Sequence, residues 1–236
     1  MSRRHGSALG RAFICAVLLA TTASARHGAI PNRVYDAPRP GQVDFTGKWL
    51  ADRREMAVAG AATPPFTAAG RAEYLKRKAA VRAGKGDDPI GRCLPHGIPR
   101  LLYAPYPFLI LEYGKQVTFI HEVNHSFRVV YFDAPIPDEP DPTYLGTASA
   151  KREGGALVIR SYGFNGQTWL DYAGMPHGEK LKVEERYSFV TPNRIRLTIT
   201  IDDSEYYAKK WQTSLMLDRQ SGMELRESVC ILDHRM

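Results

Sequence analysis

Glu185 is the first residue in this 236-residue chain to raise a chemical question. It lies between Val183 and Tyr187 on the apolar side of an alternating stretch. A carboxylate placed there must find a partner or change its pKa. A few residues upstream, the loop Gly163–Lys180 crowds Asp171 and His177 among Phe164, Trp169, Leu170, Tyr172 and Met175. An aspartate beside a histidine can orient an imidazole base. His177 or Glu185 as acid–base group, Asp171 as orienter and Arg128 as anion holder would suit a lyase, an isomerase or a hydrolase without a cofactor. The alternative is structural: Glu185 pairs with Arg128 or Arg160, Asp171 caps a turn, and His177 is solvated.

The same residue types also suit a binding pocket. Small-molecule sites are mostly apolar, with a few placed polar groups. Phe119, Tyr131, Trp169 and Tyr187 would form the walls, with Arg100, His121, Arg128, Asn165, Asp171, His177 and Glu185 as polar contacts. His121 shares one side of a strand with Val117 and Phe119, which points it inward, as a pocket imidazole or as a satisfied core histidine.

His121-Glu122-Val123-Asn124-His125 matches H-E-x-x-H. That motif binds zinc because a helix puts both imidazoles on one face. Here the flanks are β-branched and alternating, and residues four apart in a strand are about 13 Å from each other. The stretch Val123–Ser126 predicts a hairpin turn, and zinc hydrolysis ranks a distant third. No Gly-x-Ser-x-Gly elbow and no phosphate-binding glycine loop occurs.

The elements that must position these groups are mostly strands. From Pro107 onward the hydrophobic period is two, which predicts eight to ten short strands joined by tight turns, with Glu224–Leu232 as the last. Without intervening helices the sheet should be antiparallel, and closure into a barrel removes its edges. The fold class expected is therefore all-β: an up-and-down, lipocalin-like barrel with one short helix near residues 67–84, capped by Thr67 and stopped at Gly84.

The N-terminus reads as a secretory signal over residues 1–25, with Arg3, Arg4 and Arg11, an apolar run Ala12–Ala20 and Ala23-Ser24-Ala25 as cleavage site. Residues 26–43 form an extended arm and 44–236 a single domain with a lid loop over 163–180. Losing the three signal arginines lowers the formal net charge from +7 to +4, a mild bias toward anionic ligands. No Lys/Arg stripe interleaved with aromatics marks a nucleic-acid module, and no membrane insertion is expected after cleavage. The setting expected is the periplasm or the exterior. There Cys93 and Cys230, the two cysteines left, are expected to pair.

Several short motifs carry a resemblance. They are Asp44-Phe45-Thr46-Gly47 with Trp49, Pro64-Pro65 through Gly70-Arg71, Cys93-Leu94-Pro95 with Gly97, Pro99 and Arg100, Pro105-Tyr106-Pro107-Phe108 and Asp141-Pro142-Thr143-Tyr144. Gly163-Phe164-Asn165, Thr168-Trp169-Leu170-Asp171, Gly174 with Pro176-His177, Glu185-Arg186 and Thr200-Ile201-Asp202-Asp203 complete them. Over most of the mature domain the chain resembles an uncharacterised group of secreted bacterial proteins. The resemblance implies a lipocalin-like barrel and an exported setting, and no mechanism. It departs from the group at His121, where a tyrosine or another residue is expected.

Two readings emerge: an exported barrel that binds a small organic molecule, with a mild bias toward anions, under the 163–177 loop, or a cofactor-free acid–base enzyme using the same pocket.

Overall fold

The computed structural model describes residues 43–52 and 64–231; the segment expected to be a signal and nearly all of the expected arm lie outside the described residues. Alternation of large apolar and polar residues produces nine strands in this region: β1 Gly47–Ala51, β2 Phe108–Tyr113, β3 Gln116–His121, β4 Phe127–Phe132, β5 Thr147–Glu153, β6 Ala156–Tyr162, β7 Lys182–Thr191, β8 Arg194–Asp202 and β9 Trp211–Arg219. They pair in chain order and close into a barrel, β9 returning antiparallel to β1 at Trp49↔Arg219. The inward residues Val117, Phe119, Ile159, Tyr187, Ile195, Leu197, Ile199 and Leu217 form one core, which an alternating pattern imposes once one face is buried.

One junction departs from the expected meander. β4 and β5 run parallel, paired at Tyr131↔Ser149 and Phe132↔Ala150. The cause is the connector 133–146, which carries Pro135, Pro137, Pro140 and Pro142. Proline cannot donate to a sheet ladder, so the segment travels back along the barrel before β5 begins. It closes one bridge on the way, Thr143↔Phe164.

The α-helix among the described residues, α1 Ala68–Arg82, starts where Thr67 accepts from the Gly70 amide at 3.0 Å. Gly84, at φ +67°, follows its end. The register places the β3–β4 turn, the β6–β7 loop and the β8–β9 loop at one end of the barrel. Thr67 and Ala208 pair through their backbones with Tyr206 and Pro65, which docks α1 at that same end.

The expected last strand is absent. Residues 220–231 form no strand and instead run as a strap. The Arg226 amide donates to Glu122 and the Ser228 amide to His125 Nε2. The strap ends in a disulfide between Cys93 and Cys230, 137 positions apart.

Candidate functional site

Inside the barrel a polar network spans three strands. Arg128 on β4 donates from Nη1 to Glu185 Oε1 and from Nη2 to Ser161 Oγ, each at 2.6 Å. Tyr187 donates its hydroxyl to Glu185 Oε2 at 2.7 Å. Glu185 is fully buried and Arg128 nearly so, so each charge depends on the other. Burial, reinforced by the Glu185 carboxylate, holds the Tyr187 hydroxyl well above the usual phenol range. Phe119 packs against Tyr187, ring centroids 5.7 Å apart. Arg128 Nε alone has no acceptor. His121 stacks on Phe108 at 4.9 Å. Burial, with Arg128 and His96 adding to it, pushes its imidazole down to about 3, so it stays neutral.

The β6–β7 loop covers the barrel end because its apolar residues join the core. Phe164, Leu170, Met175 and Leu181 are all buried there. Its polar groups then fix its shape. Asp171 Oδ1 accepts from the Ala173 and Met175 amides at 2.9 and 3.1 Å, and burial raises its carboxyl. His177 Nδ1 lies 3.1 Å from the Gly178 carbonyl and Nε2 lies 2.7 Å from Thr168 Oγ1. A carbonyl only accepts, so Nδ1 carries the proton and Nε2 accepts from the threonine. Burial pushes this imidazole down to about 4. Asp203, at the end of β8, accepts from the Gly178 and Glu205 amides, and the Tyr207 hydroxyl donates to Pro176 O. Gly97 supports the loop from below. A Cβ there would stand 2.5 Å from Thr168 Oγ1, on a backbone at φ +72°.

Beyond this shell lies a band of arginine and aromatic contacts. Arg100 is buried and bidentate to Asp88, at 2.7 and 2.6 Å. Its guanidinium lies 4.4 Å from the Tyr172 ring centre and 5.4 Å from that of Trp169. The Arg77 guanidinium lies 5.8 Å from the same tryptophan. Between α1 and the loop a cleft of about 460 Å³ opens, bordered by Glu73, Lys76, Arg77, Lys85, Asp87, Gln167, Thr168 and Trp169. Glu73, Lys76, Arg77 and Ala80 fall at i, i+3, i+4 and i+7, one face of the helix. Glu73 accepts from both Lys76 and Arg77, at 3.2 and 2.9 Å. One carboxylate therefore serves two cations, and Arg77 Nη1 has no acceptor.

The residues singled out from sequence fall into separate groups. Glu185, Arg128, Tyr187 and Phe119 meet inside the barrel. Asp171, His177 and Trp169 belong to the loop. Arg100 turns away to Asp88. Asn165 caps its own turn through the Gln167 amide and, with His177, borders a neighbouring hollow of about 390 Å³. Among the described residues no hydrogen bond joins Asp171 or His177 to Glu185. The donors on Asp171 are the backbone amides of its own turn, the capping alternative, and not His177. Tyr131 is corrected outright: at 54% exposed it stands on the outer side of β4 with Phe127 and Val129, because Arg128 and Val130 take the inward positions.

The H-E-x-x-H stretch lacks the helix its chemistry requires. His121 ends β3, and Val123–His125 is a single tight 3-10 turn with Asn124 and His125 at positive φ. Glu122 and His125 hold the C-terminal strap. Among the described residues no three His, Cys, Asp or Glu side chains gather to hold a metal ion.

Sequence reasoning missed Glu73, Lys76, Arg77, Lys85, Asp87 and Gln167. The i, i+3, i+4 spacing of charges on α1 was a signal for the first three. No family model, curated protein or solved structure matches the chain.

Proposed function

We propose that this chain is an exported β-barrel protein that binds a small anionic organic molecule, with the 163–177 loop as one wall of the site. The observation that carries this reading is the contrast between two sets of polar groups. Both nitrogens of His177, Asp171 Oδ1 and both oxygens of Glu185 already have internal partners, and the imidazole is neutral at ordinary pH. A general acid or base needs a free atom within reach of its substrate. The cleft on the outer side of Trp169 does offer free capacity. Lys76, Arg77 and Lys85 outnumber Glu73 and Asp87 along its walls.

Export is supported by the signal-like N-terminus and by the Cys93–Cys230 disulfide, since such bonds persist in oxidising compartments. The resemblance to secreted bacterial proteins agrees with it. The binding reading is tested by calorimetric titration with a panel of small organic carboxylates and their neutral amides. Saturable binding is expected for carboxylates only, weakened by salt and by Arg77→Ala. Equal affinity for the amides, or binding indifferent to Arg77→Ala, would overturn it. A turnover abolished by Glu185→Gln in a folded protein would restore the acid–base reading.

A further inference from the structure

We infer that the cleft between α1 and the loop takes a hydroxylated monocarboxylate of sugar-acid type, a uronate or an aldonate. This rests on the anion-binding reading above and names its ligand class.

The cleft walls alternate in sign. Lys76, Arg77 and Lys85 stand with Glu73 and Asp87, and Gln167 and Thr168 add neutral polar groups. An apolar ligand would strip water from these charges and return nothing. A hydroxyl can replace that water, because it donates to a carboxylate and accepts from an ammonium.

Aromatic anions are disfavoured for a second reason. Trp169 is only 5% exposed, and the Arg77 and Arg100 guanidinium groups already lie against it. No open ring face is left for stacking.

The charge balance limits the anion to one negative charge. Lys76, Arg77 and Lys85 stand against Glu73 and Asp87 along the cleft, which leaves a net charge of about one positive. Asp87, which borders the same cleft and has a 3.4 Å contact with Arg92, repels a dianion such as phosphate but accepts from a hydroxyl. At about 460 Å³ the cleft lies in the usual range of small-molecule sites, with room for a six-carbon acid.

The experiment is a calorimetric titration of the full mature chain at low salt with D-glucuronate, D-galacturonate and D-gluconate, against glucose, benzoate and inorganic phosphate. Wild type, Arg77→Ala and Asp87→Asn are compared. At least one sugar acid is expected to bind tenfold or more tightly than glucose, benzoate and phosphate. Arg77→Ala should cost tenfold or more. Asp87→Asn, a change at an exposed side chain, should weaken the sugar acid threefold or more and leave benzoate unchanged or slightly improved. If benzoate or phosphate binds best and responds to Arg77→Ala, the sugar-acid class is wrong and the anion site stands. If no anion binds, or none responds to Arg77→Ala, both fall.

Discussion

Replacing Glu185 with leucine gives a sharp test of the interior network. The carboxylate is fully buried and accepts from both Arg128 and Tyr187. Its loss leaves a guanidinium that is 5% exposed with Ser161 as its remaining hydrogen-bond partner, and Nε is already without an acceptor. Breaking a buried pair from one side costs about 3–5 kcal/mol. The orphaned Tyr187 hydroxyl adds about 1–3 kcal/mol, and the two overlap because they share one acceptor. A net cost of about 4 kcal/mol corresponds to a Tm lower by roughly 8–16 °C in a domain of this size. Exchanging both partners for leucine should restore stability to within about 2 kcal/mol of wild type, since well-packed apolar replacements of buried pairs are often neutral. The assay is urea unfolding at pH 7.5 with the disulfide intact, run as a double-mutant cycle. A single-variant loss below about 1 kcal/mol, or a double variant as unstable as the sum of the singles, would refute a structural role for the pair. A more stable Glu185→Leu would refute it too, and would mark the carboxylate as a strained functional group.

Stability should fall as pH drops from about 6.5 toward 4. His96 and His177 are held down to about 4 and His121 to about 3 by burial, so the unfolded chain binds protons first. Asp171 and Glu112, raised by burial, oppose this only in the carboxylate range. A Tm unchanged between pH 7.5 and 5 would contradict the assignment, and His121→Phe should flatten the slope. Gly70→Ala should destabilise by about 1–3 kcal/mol despite the better helix propensity of alanine, because its Cβ would stand 2.1 Å from the Tyr206 carbonyl oxygen; an unchanged or higher Tm would contradict that contact. Reducing the disulfide should lower stability by up to about 5 kcal/mol on loop-entropy grounds. Non-reduced mass spectrometry should show the mature chain two hydrogens lighter than its dithiol form. Trp169→Ala should lower stability by about 3–5 kcal/mol if the ring is the structural keystone its two guanidinium contacts make it, and a loss of ligand affinity alone would assign it to the ligand.

The barrel was legible because its signal is periodic. Val183, Glu185 and Tyr187 share an inward side whatever the register of their neighbours, and Ile195, Leu197, Ile199 and Ile201 repeat the pattern. Burial of the 163–177 loop was legible from composition, since so many large apolar side chains rarely stay in water. The pairing of Arg128 with Glu185 was one of two options, because two arginines on the sequence could reach. What failed was direction at places where alternation is symmetric or short. Phe127, Val129 and Tyr131 read as inward as readily as Arg128, Val130 and Phe132, and the structure buries the arginine because it meets Glu185. The strap failed for a similar reason: Val229 and Ile231 alternate like a strand but end at a disulfide and stay exposed. The cleft was invisible because it needs α1 docked against a loop about ninety residues away, a tertiary relation that no local pattern encodes.

The parallel β4–β5 junction has a mechanical consequence. It is the narrowest ladder of the barrel, with two paired positions, against three where β1 meets each of its neighbours and nine between β7 and β8. The barrel can therefore be regarded as two antiparallel runs, β2–β4 and β5–β9, joined on one side by the parallel junction and on the other by β1. Hairpins such as β2–β3 and β7–β8 form early because their loops are short, and β1 closes the barrel late because its partners on β9 are distant in sequence. Amide hydrogens at the β4–β5 junction should exchange well before those of β7 and β8, through local opening rather than global unfolding. Arg128 and Glu185 sit on opposite runs, so their interior contact forms when the two runs close and works as the latch between them.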